Sequence, residues 1–234
     1  MTLTMSDVSA ISAAFGMGGA LNTVLGLLAG ALLLSGFAVA SSRWLRDYVW
    51  AYRAQSVTLT AVVIAVGIGA GRWELMIVAA LTVLVKVFII PAQLRRVIVH
   101  LPSQRESRPL LNTSLSLVVA LLLTLLSFFS APTVIAPGAF FNQPPLAISL
   151  ALVLIGLFIL SVRRHVVAQV VGLLTIENGL FSGALAIAFG MPLLVEFGIL
   201  FDVLVAVIVL TLLVTLLHRT LTSAETTELR RLRG

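Results

Sequence analysis

Residues 166–189 read VVAQVVGLLTIENGLFSGALAIAF. Apart from Gln169 and the pair Glu177-Asn178, the stretch is built of apolar and small side chains. As a helix rising about 1.5 Å per residue it is long enough to cross a hydrocarbon core about 30 Å thick. A single helix also satisfies its own backbone hydrogen bonds, which lipid requires. The same reading applies to six other runs, at about 19–42, 55–71, 74–91, 113–131, 145–162 and 192–217. Seven crossings take roughly 140 residues before connections are added. The expected fold is therefore all-α: one polytopic transmembrane bundle of seven helices spanning 1–234, with no soluble catalytic module. Arg72-Trp73-Glu74 marks a tight turn, Pro91 is expected to close the third helix, and Pro192 fits the first turn of the seventh.

Composition agrees. Of the 234 residues 60% are hydrophobic and 10% charged, against about 45–50% and 25% in ordinary soluble domains. Mean hydropathy is +1.15. The absence of cysteine excludes disulfides, thiolate metal sites and cysteine nucleophiles. His100, His165 and His218 fall in connections or at helix ends, so no mid-membrane pair is available to hold haem. The one lysine, Lys86, is on the third helix and none is on the seventh, which disfavours a retinal pump. No phosphate loop, metal cluster or nucleophile constellation is present, so no catalytic residue, cofactor or metal is expected.

The net charge of +6 would suggest nucleic acid in a soluble chain, but here it reports topology. Arg43, Arg46 and Arg53 follow the first helix, and Arg95, Arg96, Arg105 and Arg108 the third. Arg163 and Arg164 follow the fifth, and Arg219, Arg230, Arg231 and Arg233 the seventh. Only Arg72 falls on the other side. Cytoplasmic loops carry such an excess, so the N-terminus is expected outside and the C-terminus in the cytoplasm. The first eighteen residues hold Asp7 and no basic residue, which predicts a retained N-terminus rather than a cleaved signal. Residues 92–112, with Pro102, Ser103 and Pro109, form the longest cytoplasmic loop, and the tail 218–234 suits a short surface helix.

Ionisable side chains within membrane spans are costly and mark functional candidates. Four qualify: Lys86, Glu177, Glu196 and Asp202. With a turn near Gly190, Glu177 and Asp202 both lie roughly 18–20 Å from the outer end, at about 1.5 Å per residue. Two carboxyls at one depth can share a proton. Glu196 is shallower and about 240° around its helix from Asp202. Lys86, five residues before Pro91, is expected on the cytoplasmic side of centre, one turn from Thr82. Burial favours the neutral form of a carboxyl and a nearby ammonium its charged form, so a buried acid beside a changeable charge can load and release a proton. The plain alternative is a static ion pair, or a lysine reaching back to the interface.

Other patterns suit packing. Thr113, Ser116, Ala120, Thr124 and Ser127 make a small, weakly polar seam, and Gly26/Gly30, Gly67/Gly71 and Gly179/Gly183 are small-xxx-small pairs. Asn178 beside Gly179 is placed to hydrogen-bond between helices. Trp44, Tyr48, Trp50 and Tyr52 cluster as an interfacial aromatic belt would. No internal repeat is visible, which counts against an independent small-solute carrier.

Several segments together resemble the hydrogenase-4 component E family of membrane subunits. They are Gln55-Ser56, the run from Ala80 through Lys86 to Pro91, Glu177-Asn178-Gly179, Val195-Glu196-Phe197-Gly198 with Phe201-Asp202, and Leu-Arg-Arg-Leu-Arg-Gly ending at Gly234. The resemblance runs from about Arg43 to the end. Through it the last three helices are similar to the K-type subunit of respiratory complex I and its counterpart in multisubunit cation/proton antiporters. Those subunits carry paired membrane acids; Glu177 matches the first, and either Glu196 or Asp202 the second. The resemblance implies a prokaryotic cytoplasmic-membrane subunit of a hydrogenase or formate hydrogenlyase-type complex. Its partners would be antiporter-like chains and a peripheral hydrogenase-like arm, with no nucleic acid. Glu177 would carry protons with Asp202 or Glu196, tuned by Lys86, and redox catalysis would belong to other chains. A purely structural subunit with fixed ion pairs is the alternative.

Overall fold

A computed structural model describes residues 19–69, 71, 73–99, 101, 111–134, 143–187 and 209. Among the described residues, six helices are long and apolar enough to cross a membrane. They are α1 (Gly19–Ser41), α2 (Leu45–Gly69), α3 (Glu74–Val99), α4 (Thr113–Val134), α5 (Gln143–Val162) and α6 (Val166–Ile187). The expected seventh run at 192–217, with Glu196, Asp202 and the tail 218–234, lies outside the described residues. Val209 alone of that region is described: it is helical, fully buried, and packed in the main core.

α5 packs against α6, α4 and α1, while α2 packs against α1, α3 and α6. The largest core joins Tyr48 and Tyr52 of α2, Leu94 and Ile98 of α3, Ile155 and Ile159 of α5, and Val167 and Val171 of α6. α4 has the inverted pattern that lipid selects. Ser116, Ala120, Thr124, Ser127 and Ala131 face inward, whereas Leu121, Leu122, Leu125 and Phe129 face outward, Phe129 at 84% exposure. Thr124 and Ser127 return their hydroxyl protons to their own helix, at Ala120 and Thr124 carbonyls 2.8 and 2.7 Å away, so these two hydroxyls carry no unmet donor into the bundle.

Several expectations change. α2 begins at Leu45, ten residues earlier than its apolar run suggests. Its first turns are amphipathic, with Leu45, Tyr48, Val49 and Tyr52 inside and Arg46, Asp47 and Trp50 outside, so hydropathy averaged along the chain conceals them. The aromatic belt divides for the same reason: Trp44 and Trp50 are exposed, and Tyr48 and Tyr52 are core residues.

Pro91 does not end α3, which continues to Val99 and converts the start of the expected 92–112 loop into helix. The chain accommodates the proline through a π-helical segment, Val83–Ile89. Its last bond runs from Ile90 N–H to Val85 O, so the return to α register falls on Pro91. That residue has no N–H to leave unpaired, and a regular α turn would press its ring against the Val87 carbonyl.

The glycine pairs also part ways. Gly71 is the turn residue between α2 and α3, at φ +64°, where a side chain would be strained. Among the described residues nothing comes within 4 Å of a Cβ built on Gly26 or Gly30. α5 and α6, by contrast, meet backbone to backbone: a Cβ on Gly156 would lie 2.7 Å from the Gly172 carbonyl oxygen.

At the end where arginines gather, Arg163 is buried rather than a loop charge. Its Nη2 donates to the Ala40 carbonyl at 2.7 Å and reaches Ser116 Oγ at 3.4 Å, and the guanidinium lies 6.0 Å from the Tyr48 ring centroid. It thereby meets a carbonyl of α1's last turn, where no helical donor remains. Arg43 Nε donates to Thr113 Oγ1 beside it. The starts of α4 and α6 are capped by Asn112 Oδ1 and His165 Nδ1, which accept from Leu115 and Val167 N–H.

Candidate functional site

α6 is the most enclosed helix of the six, and its two faces do different things. Gly172, Gly179 and Gly183 lie along α5; a Cβ on Gly179 would come 2.9 Å from the Ser149 carbonyl oxygen, and one on Gly183 3.3 Å from Ser149 Cβ. At about 100° per residue, Glu177 is turned to nearly the opposite side. There it meets Lys86 of α3, whose Nζ stands 3.1 Å from Glu177 Oε1. The side chains are 1% and 2% exposed.

The pair extends into a chain of hydrogen bonds across three helices. Lys86 Nζ donates to Asn178 Oδ1 at 3.0 Å, and Asn178 Nδ2 donates to Gln55 Oε1 of α2 at 3.1 Å. Lysine has no acceptor to offer, so the Asn178 oxygen must face it, which fixes the direction of the whole chain. The ammonium also lies 5.7 Å from the centroid of Phe181, one turn along α6. Gln55 and Asn178 are fully buried. Around them, among the described residues, Gln55 Nε2, Ser56 Oγ and Thr82 Oγ1 are buried with no hydrogen-bond partner in protein. Such groups are normally met by ordered water.

Lys86 sits midway along the 26-residue Glu74–Val99 helix and Glu177 midway along α6, so they are level. Lys86, expected nearer the arginine end, and Glu177, expected at mid-membrane, meet side chain to side chain. The π segment contains Lys86 itself, and widening the helix there resets which side of α3 the residue occupies.

Of the residues singled out from sequence, Lys86, Glu177 and Asn178 are thus in contact, and Gly179 and Gly183 are on α6's opposite face. Glu196 and Asp202 lie outside the described residues. Sequence reasoning did not identify Gln55 or Phe181 as members of the cluster. An amide at the start of an apolar run was the available signal for Gln55; Phe181 carried none. Among the described residues no group of three His, Cys, Asp or Glu could hold a metal. Chemically, the arrangement can hold one cation against one anion without bulk water, and can retain the cation when the anion is neutralised, because Asn178 and Phe181 hold it independently.

No family model matches the chain, and no solved structure does. Curated proteins do. The uncharacterized protein Rv0085 of Mycobacterium tuberculosis is 36% identical over 208 residues, covering 88% of this chain and 94% of that protein. Hydrogenase-4 component E of Escherichia coli K12 is 28% identical over 207 residues, covering 88% and 96%, and the Shigella flexneri component E matches to the same extent. The chain is thus a full-length homologue of proteins of its own size, hydrogenase-4 component E among them.

Proposed function

We propose that the chain is a multi-pass subunit of the prokaryotic cytoplasmic membrane, working in a hydrogenase-4-like, complex I-related energy-converting complex. It takes part in translocating protons, or another cation, driven by redox chemistry in other subunits, and holds no catalytic residue of its own. Its neighbours are antiporter-like membrane chains and a peripheral hydrogenase-like arm. The whole chain forms one membrane domain of seven helices, with the arginine-rich end and the C-terminus in the cytoplasm.

The observation that supports this reading is the Lys86–Glu177 pair, enclosed at mid-height and tied to Asn178 and Gln55. With both groups ionised the pair is neutral. Uptake of one proton by Glu177 leaves it at +1, with the ammonium retained by Asn178 Oδ1 and the Phe181 ring. Release of that proton restores the ion pair. Each cycle changes the charge at the centre of the bundle by one unit, and in low dielectric such a change acts strongly on neighbouring charges. Asp202 or Glu196 is the partner acid that exchanges the proton with Glu177, and Gly179 and Gly183 fix α6 against α5 while it does so.

One observation favours a scaffold instead: the pair is completely enclosed, as a permanent structural ion pair would be. Glu177→Gln, expressed in the native complex and assayed in inverted membrane vesicles, separates the two. Redox turnover with intact assembly and lost proton pumping supports translocation. Failed assembly, with normal coupling in whatever complex remains, supports the scaffold, and full pumping overturns the proposal.

A further inference from the structure

The outward faces of the bundle differ in one respect that lipid does not explain. Along most of its length α4 turns apolar side chains outward, such as Leu121, Leu125 and Phe129, which suits acyl chains. Between α2 and α3 runs an apolar groove of about 460 Å³, lined by Ile64, Met76, Ala80, Leu84 and Phe88. Over Phe88 lies the guanidinium of Arg53, 5.9 Å from the ring centroid.

Arg53 is in the third turn of α2, about 12 Å inward of Leu45, and Phe88 is near the midpoint of α3. A long cationic side chain near a helix end ordinarily turns back toward water. This one lies over an aromatic ring of the neighbouring helix. Among the described residues no carboxylate pairs with it. A cation facing acyl chains without a counter-charge costs a few kcal/mol or more, and an opposing carboxylate offsets that cost.

We infer that the α2–α3 face is an interaction surface for a transmembrane helix of a partner subunit, one that presents a carboxylate to Arg53 and apolar side chains to the groove. From Met76 to Phe88 the groove runs about 18 Å along α3, room for roughly three turns of such a helix. The inference rests on the reading of the chain as a membrane subunit of a complex, and adds to it which face is covered and by what chemistry.

The chain has no cysteine, so Leu84→Cys introduces a unique thiol at a position 55% exposed. A benzophenone attached to it and photolysed in membranes holding the assembled complex should join this chain to another membrane subunit, at a helix bearing an acidic residue. Adding Arg53→Ala should lower the yield about tenfold, while Arg53→Lys keeps most of it. Phospholipid adducts alone, a cross-link confined to this chain's own residues 188–234, or a yield indifferent to Arg53→Ala would overturn the inference. Co-purification with the tagged wild-type chain tells the two layers apart. Membrane subunits that co-purify but do not cross-link sink the interface alone, and a chain that co-purifies with none sinks the subunit reading beneath it.

Discussion

Glu177 and Gly179 stand two residues apart on α6 and face opposite ways, the glycine into the backbone of α5 and the carboxylate into Lys86 on α3. The position of the charge is therefore set from behind. Gly179→Ala places a methyl 2.9 Å from the Ser149 carbonyl oxygen and from Val153, so the helices must separate. A cost of about 1–3 kcal/mol is expected, read as a lowered melting temperature of the purified chain. Gly30→Ala, with nothing within 4 Å of its Cβ among the described residues, should be neutral or stabilising by up to about 1 kcal/mol through helix propensity.

Removing one member of the ion pair leaves the other buried without its counter-charge. Lys86→Met and Glu177→Leu should each destabilise the chain by about 3–5 kcal/mol, and the double variant by much less than the sum. Unfolding of all three variants in mild denaturing detergent measures the coupling. Additive losses would mean that the two side chains do not act as a pair.

Gln55 has no charge, yet it holds the amide that holds the lysine. Asn178→Leu should remove both hydrogen bonds at once and cost about 1–3 kcal/mol for the buried polar atoms left behind. Gln55→Leu made in the Asn178→Leu background should then add little, whereas in the wild-type chain it should cost about 1–2 kcal/mol. A double-mutant cycle by thermal unfolding checks this.

Most of the fold was legible because lipid imposes a single rule: a run of about twenty apolar residues must be a helix. That rule gives the middle of each element and fails at the ends that leave it. Leu45–Ala54 and Ala92–Val99 are helical because one face is apolar, and a reading based on total hydropathy passes over both. The buried Arg163 reads as a loop charge for a related reason: nothing local announces that the Ala40 carbonyl will be waiting across the bundle. The intramembrane cost of ionisable groups singled out Lys86 and Glu177, but their meeting depends on the π turn, which a proline near a lysine does not by itself specify.

That turn yields a prediction of its own. Pro91→Ala restores an N–H where the register changes, so α3 can relax toward a regular helix and carry Lys86 around its axis by up to about 100°. The measured coupling between Lys86 and Glu177 should shrink in this background, while the melting temperature falls less than in Lys86→Met. Coupling that survives intact would show that the pair does not depend on the π segment.

The most direct test of the central claim watches the Glu177 carboxyl while the complex works. In infrared difference spectra taken between resting and reducing conditions, a protonated-carboxyl band should appear and disappear with turnover. It should vanish in Glu177→Gln together with proton pumping. A spectrum identical in Glu177→Gln and the native complex, with pumping undiminished, would contradict it.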